Sequence, residues 1–509
     1  MRHVINHKYL YLIILLFLIL RIINLTAFPL FNDESIYLDW GFREVNKPGF
    51  LYYSLYDAKQ PLLMWAFGLM ENLLPDPVFA GRLVSVFAGF LTMLGIYKLT
   101  KYISNKNTAL TASLLYVFVP LFSFYDRQAL MEASIASVGV WSCYFLVKCI
   151  RENKYLNFIF LGIILGIGYF IKSTPIVYLF TSFTLLIISA FIKNKKKIIF
   201  EGLIISFTCF TASIILLIIN PLFWQTLSSN TRFTLSISEL LNFPFSVWIS
   251  NLITNLRVSF FYITPIIFIL SACGIVFIIK IKDKVQGIVA LFFLISISIE
   301  TLIIRGTIDR YLVAFLPLML VFVSIFIISL IGKKKTYALG LFLITLSVLT
   351  SLPLTLLQVI NQVDYFRYYG KISGISYYYY LDTFTTGYGL NEVFTYFDNI
   401  SKDKKIIIGV GANTGNPESA MLVHYNKNPN VKTVYFDSRL LPPEINNYDC
   451  IDIGELTYFV SRRNELVGLD KFLINIKFVK DPYGKNIIGI YALKSNCKGK
   501  TTTLNLQEN

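Results

Sequence analysis

The sequence predicts a polytopic α-helical membrane protein with a C-terminal extracytoplasmic α/β domain. Of its 509 residues, 55% are hydrophobic and 15% are charged, which is typical of a chain with many membrane spans. Apolar runs of about 20 residues, the length that crosses a bilayer, recur as far as residue 355. Beyond Leu356 the apolar runs stop, and charged residues, Asn and Gly become frequent. We therefore predict a transmembrane domain over residues 1–355 and a second domain over residues 356–509.

The first span is expected at Tyr9–Phe28. Basic residues precede it and no small-residue cleavage site follows, so we expect a retained helix rather than a cleaved signal peptide. Ten further apolar runs bring the predicted number of spans to about eleven. They cover approximately residues 78–99, 107–125, 130–150, 155–172, 175–192, 199–220, 256–279, 287–304, 311–331 and 337–355.

The distribution of Lys and Arg predicts how the spans are oriented. Five alternate loops are rich in these residues, and all five fall on the same side as the basic N-terminus. The positive-inside rule makes that side cytoplasmic, so an odd number of spans leaves the C-terminal domain outside the plasma membrane. These loops account for much of the net charge of +16. No basic-aromatic or zinc-finger pattern indicates nucleic acid as a partner.

The C-terminal region alternates strand-like and helical runs, which predicts the α/β domain. Two of the strands flank Asp481-Pro482-Tyr483-Gly484 and predict a hairpin. The glycine-rich stretch 409–415 lacks the spacing of a dinucleotide-binding loop and is expected to be a strand-to-helix turn. The expected strands are 405–410, 432–436, 456–460, 473–479 and 486–493, with helices at 390–400 and 417–425.

Cysteine and histidine are too few and too scattered to predict a zinc site. The six Cys show no C-x-x-C spacing, and the three His nearly exclude a His-based metal site or triad. Cys450 and Cys497 would form a disulfide only if the fold brings their sulfur atoms together, which the sequence leaves open.

Charged residues also lie on the predicted outer side of the bundle. Asp33 and Glu34 follow the first span, and Glu132 opens a later span with no basic residue within four positions. Charges beside apolar segments tend to face a cavity or one another, so we predict a polar cleft that opens outwards. The candidate basic residues of this cleft are Lys59, Arg82, Arg127, Lys172, Arg305 and Arg310.

Acids and bases in one cleft suit group transfer from a phosphate. A carboxylate can act as general base towards an acceptor hydroxyl, while Arg and Lys hold the phosphate and stabilise the charge it gains on leaving. Nucleotide sugars are cytoplasmic, so the expected donor is a polyprenyl phosphate sugar whose lipid tail lies in the bilayer. Structural alternatives remain open: the two adjacent acids also fit the first turn of a helix, and the basic residues also fit snorkelling or local ion pairs.

Short motifs around these residues resemble the GT-C superfamily of polyprenyl-phosphate-sugar transferases, specifically its aminoarabinose transferase and protein O-mannosyltransferase branch. Phe31-Asn32-Asp33-Glu34-Ser35 resembles the first-loop acidic motif of that branch. Arg127-Gln128-Ala129-Leu130-Met131-Glu132 is similar to the second acidic motif, which usually ends in Asp. The other matches are Lys59-Gln60-Pro61-Leu62, where the family has Lys-Pro-Pro-Leu, and Gly81-Arg82-Leu83, Ile171-Lys172-Ser173 and Arg310-Tyr311-Leu312.

The resemblance implies an inverting transfer of a sugar to an extracytoplasmic hydroxyl or phosphate on a lipid, protein or polysaccharide. Asp33 would be the base or would position the acceptor, and Glu34 and Glu132 would orient the acceptor, the sugar or a cation. Lys59, with Arg127 or Arg310, would hold the lipid phosphate. The acidic residues could also bind a divalent cation, Mg²⁺ or Mn²⁺, but no residue is assigned as a metal ligand.

Two other classes of protein also fit a chain with many spans. One is a transporter or flippase for a lipid-linked glycan, which charges near the bilayer midplane and broken helices would favour. A non-catalytic scaffold that displays the C-terminal domain would leave the outer charges unexplained. Because the charges lie at one end of the predicted spans, we favour the transferase.

Overall fold

A computed structural model describes residues 2–192, 195–229, 232–372, 378–411, 415–436, 450–452, 457–462, 472–481, 487–494 and 501–503. Its long N-terminal part is helical. The helices are α1 (Arg2–Ile22), α2 (Asn32–Asn46), α3 (Leu62–Leu73), α4 (Pro77–Ile103), α5 (Lys106–Phe118), α6 (Pro120–Tyr125), α7 (Glu132–Glu152), α8 (Tyr155–Ile171), α9 (Pro175–Ile192), α10 (Lys196–Ser213), α11 (Ile215–Ile218), α12 (Pro221–Ser229), α13 (Ile237–Leu241), α14 (Phe245–Tyr262), α15 (Pro265–Ile281), α16 (Lys284–Ile303), α17 (Asp309–Leu312), α18 (Met319–Ile331), α19 (Tyr337–Ile360) and α20 (Gln362–Ile372).

Many of these helices are apolar enough to lie in a membrane, as the composition predicts. Within the described residues, five are long and apolar enough to cross a bilayer by themselves, namely α4, α7, α9, α16 and the helix that ends at Ile360. The bent pair α14 and α15 would make a sixth span if it counts as one. Shorter apolar helices include α3, α8 and Leu316–Ile331. The chain is a multi-pass membrane protein, and the number of eleven spans stays a prediction.

Four of the predicted spans are interrupted. In the run at 311–331, α17 ends at Leu312 and the apolar helix begins only at Leu316. The run at 107–125 divides at Pro120 into α5 and α6, and the run at 199–220 divides between α10 and α11. The run at 256–279 bends by 115° between α14 and α15. Pro265 opens α15 and has no N–H group for the preceding turn, so the helix cannot continue straight through it. Apolar content alone did not reveal these breaks.

Helices α2 and α3 are short, and they pack closely on each other. Their closest approach is at Gly41 and Gly68, where a Cβ atom on Gly68 would lie 2.0 Å from the Gly41 carbonyl oxygen. Only glycine permits this contact. Helix α2 thereby rests on α3 while its other side meets the C-terminal domain.

The C-terminal domain has a five-stranded sheet with the strand order β2-β1-β4-β6-β5. Strands β2 and β4 run parallel to β1, and β6 runs antiparallel to both β4 and β5. A parallel pair, β3 and β7, forms a second sheet. The strands are β1 (Ile406–Gly411), β2 (Val431–Phe436), β3 (Cys450–Asp452), β4 (Thr457–Arg462), β5 (Leu473–Lys480), β6 (Ile487–Leu493) and β7 (Thr501–Thr503), with helices α21 (Leu390–Ser401) and α22 (Glu418–Tyr425).

The predicted strands and helices of this domain are confirmed to within two residues at each end. The antiparallel pairing of β5 with β6 is the pairing expected of the predicted hairpin. The turn residues 482–484, Cys497 and residues 412–414 of the glycine-rich stretch lie outside the described residues. The predicted boundary at 355/356 falls inside α19, which continues to Ile360; the division into two domains stays a prediction.

Candidate active site

A cavity of about 280 Å³ lies where the ends of α8 and α16 meet α2 and the segment before α3. Its wall mixes basic, acidic and aromatic side chains with apolar ones. The charged and aromatic residues that line it are Tyr37, Lys59, Lys172, Phe223, Phe233, Glu300, Arg310 and Tyr311. The cavity therefore has the mixed charge that the sequence predicts for a cleft at one end of the bundle.

Asp33 lies at the edge of this cavity, in the first turn of α2. Arg310, from the short helix α17, donates a hydrogen bond from Nη1 to Oδ2 of Asp33. About one quarter of the Asp33 side chain remains exposed to solvent. Burial alone would raise the pKa of Asp33, but Arg310, with smaller contributions from Lys59 and Asn32, brings it below its ordinary value. Asp33 is therefore ionised at neutral pH.

Glu132 is the second acid brought to this place. Its Oε1 atom accepts a hydrogen bond of 3.0 Å from Lys172 Nζ and lies 3.8 Å from Arg310 Nε. An acid with no base nearby in sequence was expected to find a partner elsewhere, and it does. Arg310 thus lies between Asp33 and Glu132, while Lys172 also approaches to 5.3 Å from the centre of the Tyr311 ring.

Lys59 reaches the cavity from the opposite wall. It precedes α3, and its ammonium lies 4.8 Å from the centre of the Phe233 ring. Burial lowers the pKa of Lys59, and the nearby charge of Lys172 lowers it further. Lys59 forms no ion pair with a carboxylate of the described residues. Its positive charge is therefore open to an anionic ligand.

Glu34, the neighbour of Asp33, has a different position. It is fully buried, and Arg82 donates to both of its oxygens, at 2.9 Å from Nε and 2.8 Å from Nη2. The backbone N–H groups of Phe31 and Ala129 donate to the same carboxylate. All of these bonds anchor the start of α2. Glu34 does not line the cavity, and this geometry gives no support to its predicted role in orienting the acceptor, the sugar or a cation.

Arg82 and Arg127 are also turned away from the cavity. Beyond Glu34, Arg82 donates to the carbonyls of Leu25 and Phe28 at 2.9 Å. Arg127 donates from its two terminal nitrogens to carbonyls that follow or end α1, including Leu20 at 2.8 Å. Both side chains are fully buried. Because these N–H groups are already used by the protein, the predicted contact of Arg82 and Arg127 with a lipid phosphate does not fit this structure.

Arg305 is separated from the cavity on the other side. Its guanidinium forms two hydrogen bonds of 2.8 Å with Glu239, and both side chains are 39% exposed. Arg305 does not line the cavity, so its predicted contact with a lipid phosphate does not fit this structure. Asp126, which is adjacent to Arg127 in sequence, pairs with Arg21 at 2.9 Å.

Five charged or aromatic residues of the cavity wall were absent from the predicted site, and one of them, Phe223, has no sequence signal. Tyr37 lies one turn after Asp33 on the same face of α2, a spacing that could have indicated it. Tyr311 follows Arg310 within the Arg-Tyr-Leu element. Glu300 could be read from the sequence only as one of several charges at span ends. Phe233 has no sequence signal, because it is brought in by the loop before α13 when Arg305 N–H donates to its carbonyl.

The two acids paired with cations of the cavity wall, Asp33 and Glu132, are also possible ligands of a divalent ion. Asp33 and Glu132 each face a cation of the protein, Arg310 and Lys172. Among the described residues, no three of His, Cys, Asp and Glu come together as a metal-binding group. The open prediction of Mg²⁺ or Mn²⁺ therefore gains no ligand set here, and we assign it no role in the chemistry.

Comparisons with known proteins agree with this fold. Residues 58–216 match the family model described as dolichyl-phosphate-mannose-protein mannosyltransferase. ArnT from Cupriavidus metallidurans bound to undecaprenyl phosphate has a TM-score of 0.55 and 11% identity, covering 95% of this chain and 97% of that chain. The apo state of ArnT has a TM-score of 0.56 and 12% identity, with the same coverage. No curated protein matches the sequence significantly.

A solved structure with a lower score is that of the Archaeoglobus fulgidus oligosaccharyltransferase in complex with Zn and sulfate. Its TM-score is 0.48 at 11% identity, covering 94% of this chain and 72% of that chain. This chain therefore shares the fold of ArnT, and the family-model match over residues 58–216 agrees with the resemblance of the sequence motifs to GT-C glycosyltransferases.

Proposed function

We propose that the protein is a membrane glycosyltransferase that moves a sugar from a polyprenyl phosphate, such as undecaprenyl or dolichyl phosphate, to an extracytoplasmic acceptor, with inversion at the sugar carbon. One observation carries the proposal: an ionised carboxylate, Asp33, is paired with Arg310, which lines one cavity together with two further cations, Lys59 and Lys172. The ArnT structure bound to undecaprenyl phosphate shares the fold and supports this class of donor.

In this proposal the cations bind the donor phosphate. A sugar phosphodiester carries one negative charge, and the phosphate that leaves carries up to two near neutral pH. Charge that develops during reaction is stabilised best by donors already in place. Lys59 has a free charge, and Arg310 and Lys172 have N–H groups beyond those given to Asp33 and Glu132. These three residues replace the wider set of six that the sequence suggested.

Asp33 acts as the general base. It takes the proton of the acceptor hydroxyl while the acceptor oxygen attacks the sugar carbon, and the bond from that carbon to the phosphate oxygen breaks. A direct attack from the opposite face inverts the configuration. Arg310 links the two events, because a phosphate that draws the guanidinium away from Asp33 raises the basicity of the carboxylate. Glu132 holds Lys172 and Arg310 in place and so positions the phosphate.

The localisation follows the same proposal. The N-terminus lies in the cytoplasm, and the C-terminal domain and the cavity lie outside the plasma membrane. The loops rich in Lys and Arg support this orientation. The acceptor is a hydroxyl or phosphate on a lipid, protein or polysaccharide, and it enters from the side of the C-terminal domain.

A transporter or flippase for a lipid-linked glycan is the second candidate, and the break between α14 and α15 favours it. The charged residues favour the transferase more strongly. Glu132 opens α7, Lys172 follows α8, and Arg310 lies beyond α16, so all three lie at helix ends and none at a span centre.

The test is release of sugar by purified protein from undecaprenyl phosphate carrying mannose, glucose, N-acetylglucosamine or aminoarabinose, with water standing in for the acceptor. We expect release from at least one lipid donor, none from the matching nucleotide sugars, and strong loss in Lys59→Met. The matched control is Lys402→Met, an exposed lysine of the C-terminal domain.

If no donor is hydrolysed, binding of undecaprenyl phosphate that is lost in Lys59→Met still supports the proposed site. Neither release nor binding would contradict the proposal. Movement of lipid-linked sugar between leaflets of a vesicle without release would support the flippase instead.

A further inference from the structure

A turn of the C-terminal domain contacts the residue next to Asp33. The backbone N–H of Asn416 donates to Oδ1 of Asn32 at 2.9 Å, and Asn416 Nδ2 donates to the carbonyl of Leu30 at 2.8 Å. Asn416 is 2% exposed and Asn32 is 8% exposed. The C-terminal domain is therefore hydrogen-bonded to Leu30, in the segment before α2, and to Asn32, the first residue of α2.

Gly415 makes this contact close. It has a φ of +121°, and a Cβ atom at this position would lie 2.0 Å from Asn32 Oδ1. Ser35, one turn into α2, lies with its hydroxyl 3.4 Å from the Gly415 carbonyl oxygen. Only glycine combines this backbone conformation with so close a neighbour. The turn and the start of α2 fit together without space for another side chain.

Regular elements of the C-terminal domain hold the turn in place. Arg462, the last residue of β4, donates from Nε to the Asn416 carbonyl at 2.7 Å. The Gly415 N–H donates to the Ser419 hydroxyl in the first turn of α22 at 3.0 Å. The central sheet and a helix thus support the contact, so the position of the turn depends on the whole domain.

The contact decides which way the Asn32 side chain faces. A backbone N–H can only donate, so it must meet the oxygen of the Asn32 amide and not its nitrogen. The NH₂ group of Asn32 is then left to face the acid beside it. Burial tends to raise the pKa of Asp33, whereas Arg310 and, to a smaller extent, Asn32 lower it. With the amide reversed, an oxygen would face the carboxylate and disfavour its charged form.

We propose that the C-terminal domain positions the catalytic base: the Gly415–Asn416 turn fixes the amide of Asn32 and the entry of α2, and so holds Asp33 in its reactive position. This gives the C-terminal domain a part in the chemical step that is separate from any contact with the acceptor. Asn32, Gly415 and Asn416 are positioning residues, since they act through Asp33. The inference rests on the proposed function, in which Asp33 is the base.

The test uses full-length Gly415→Ala and Asn416→Ala, with Asn399→Ala, an exposed Asn of the same domain, as the matched control. The substrate is the undecaprenyl phosphate sugar that the wild-type protein hydrolyses. We expect kcat to fall about tenfold, the effect of one charge-assisted hydrogen bond, with KM for the donor unchanged. We also expect the acid limb of kcat to move to higher pH in both variants but not in the control.

A double substitution separates positioning from simple strain. Asn32→Ala removes the oxygen that a Cβ atom at position 415 would meet. If Gly415→Ala acts through Asn32, it lowers kcat in the wild-type background and has little further effect in the Asn32→Ala background. Equal loss in both backgrounds, or loss with an unmoved pH profile, would overturn the inference by showing that the turn matters only for folding.

Asp33→Asn distinguishes the inference from the function on which it rests. If Asp33→Asn abolishes release while Gly415→Ala and Asn416→Ala behave as the wild type, the inference is wrong and the proposed base stands. If Asp33→Asn retains full release, the proposed base is wrong and the inference falls with it.

Discussion

Arg310 donates a hydrogen bond to the carboxylate of Asp33 across 277 positions of sequence. The same guanidinium has its Nε atom 3.8 Å from Glu132. One cation therefore joins the acid that follows the first helix to the acid that opens α7. In the proposed reaction this cation holds Asp33 charged before the donor arrives and turns to the phosphate when it binds.

Replacing Arg310 by Gln removes both the phosphate contact and the partner of Asp33. We expect kcat/KM to fall by about 100-fold or more, the range seen when one preorganised donor is lost at a developing charge. The acid limb of the pH profile should move to higher pH, because Arg310 lowers the pKa of Asp33. Arg310→Lys keeps the charge but not the paired geometry and should recover only part of the activity. Activity equal to the wild type in Arg310→Gln would exclude its proposed role.

The pH dependence should be set on the alkaline side by Lys59. A lysine with a lowered pKa loses its charge at a lower pH than the ordinary 10.5, and phosphate binding is lost as the pH rises through that value. On the acid side, activity is lost as pH falls through the pKa of Asp33, which lies below the ordinary 3.8. We expect kcat/KM to be flat from about pH 5 to pH 7.

The variant Lys59→Arg tests the alkaline limb, because an arginine stays charged. It should move that limb to higher pH, as measured by affinity for undecaprenyl phosphate between neutral and alkaline pH. If the alkaline limb of the pH profile does not move in Lys59→Arg, a group other than Lys59 must cause the loss of binding at high pH.

Arg82→Ala should act on stability. It leaves Glu34 charged and buried without its partner, a change that costs about 3–5 kcal/mol in buried pairs. We expect a lower unfolding temperature in detergent and a lower yield, while the folded fraction binds undecaprenyl phosphate as the wild type does. A stable Arg82→Ala protein that has lost only lipid binding would restore Arg82 to the phosphate site.

Arg305→Ala should have little effect. Its pair with Glu239 is more than one third exposed, and exposed pairs contribute about 0–1 kcal/mol. We expect release of sugar within about twofold of the wild type, because Arg305 does not line the cavity. A loss of donor binding comparable with that of Lys59→Met would contradict this expectation and return Arg305 to the phosphate site.

The sequence indicated which charged residues lie near one another more successfully than it indicated their partners. Apolar runs and loop charges indicated the side of the bundle on which Asp33, Lys59, Glu132, Lys172 and Arg310 would be found. What they could not show is which charged residues pair with the protein itself. Glu34 and Arg82 are 48 positions apart, and only the fold determines that they meet.

Shape was harder to predict than composition. The bend before Pro265 lies in an apolar run that looks continuous by hydropathy. The contact of Gly415 with Asn32 joins two parts of the chain that share no pattern. By contrast, the strands of the C-terminal domain have regular alternation and turn residues, which are local signals, and their bounds were predicted closely.

The most direct measurement of the central claim is a comparison of wild-type protein with Asp33→Asn for two quantities in one preparation: sugar release from the active polyprenyl phosphate donor, and affinity for undecaprenyl phosphate. The proposed mechanism predicts that release is abolished while the lipid phosphate still binds, because Asn keeps the size of the side chain but cannot accept the proton. Asp403→Asn, an exposed acid, should behave as the wild type. Release that persists in Asp33→Asn would contradict the account.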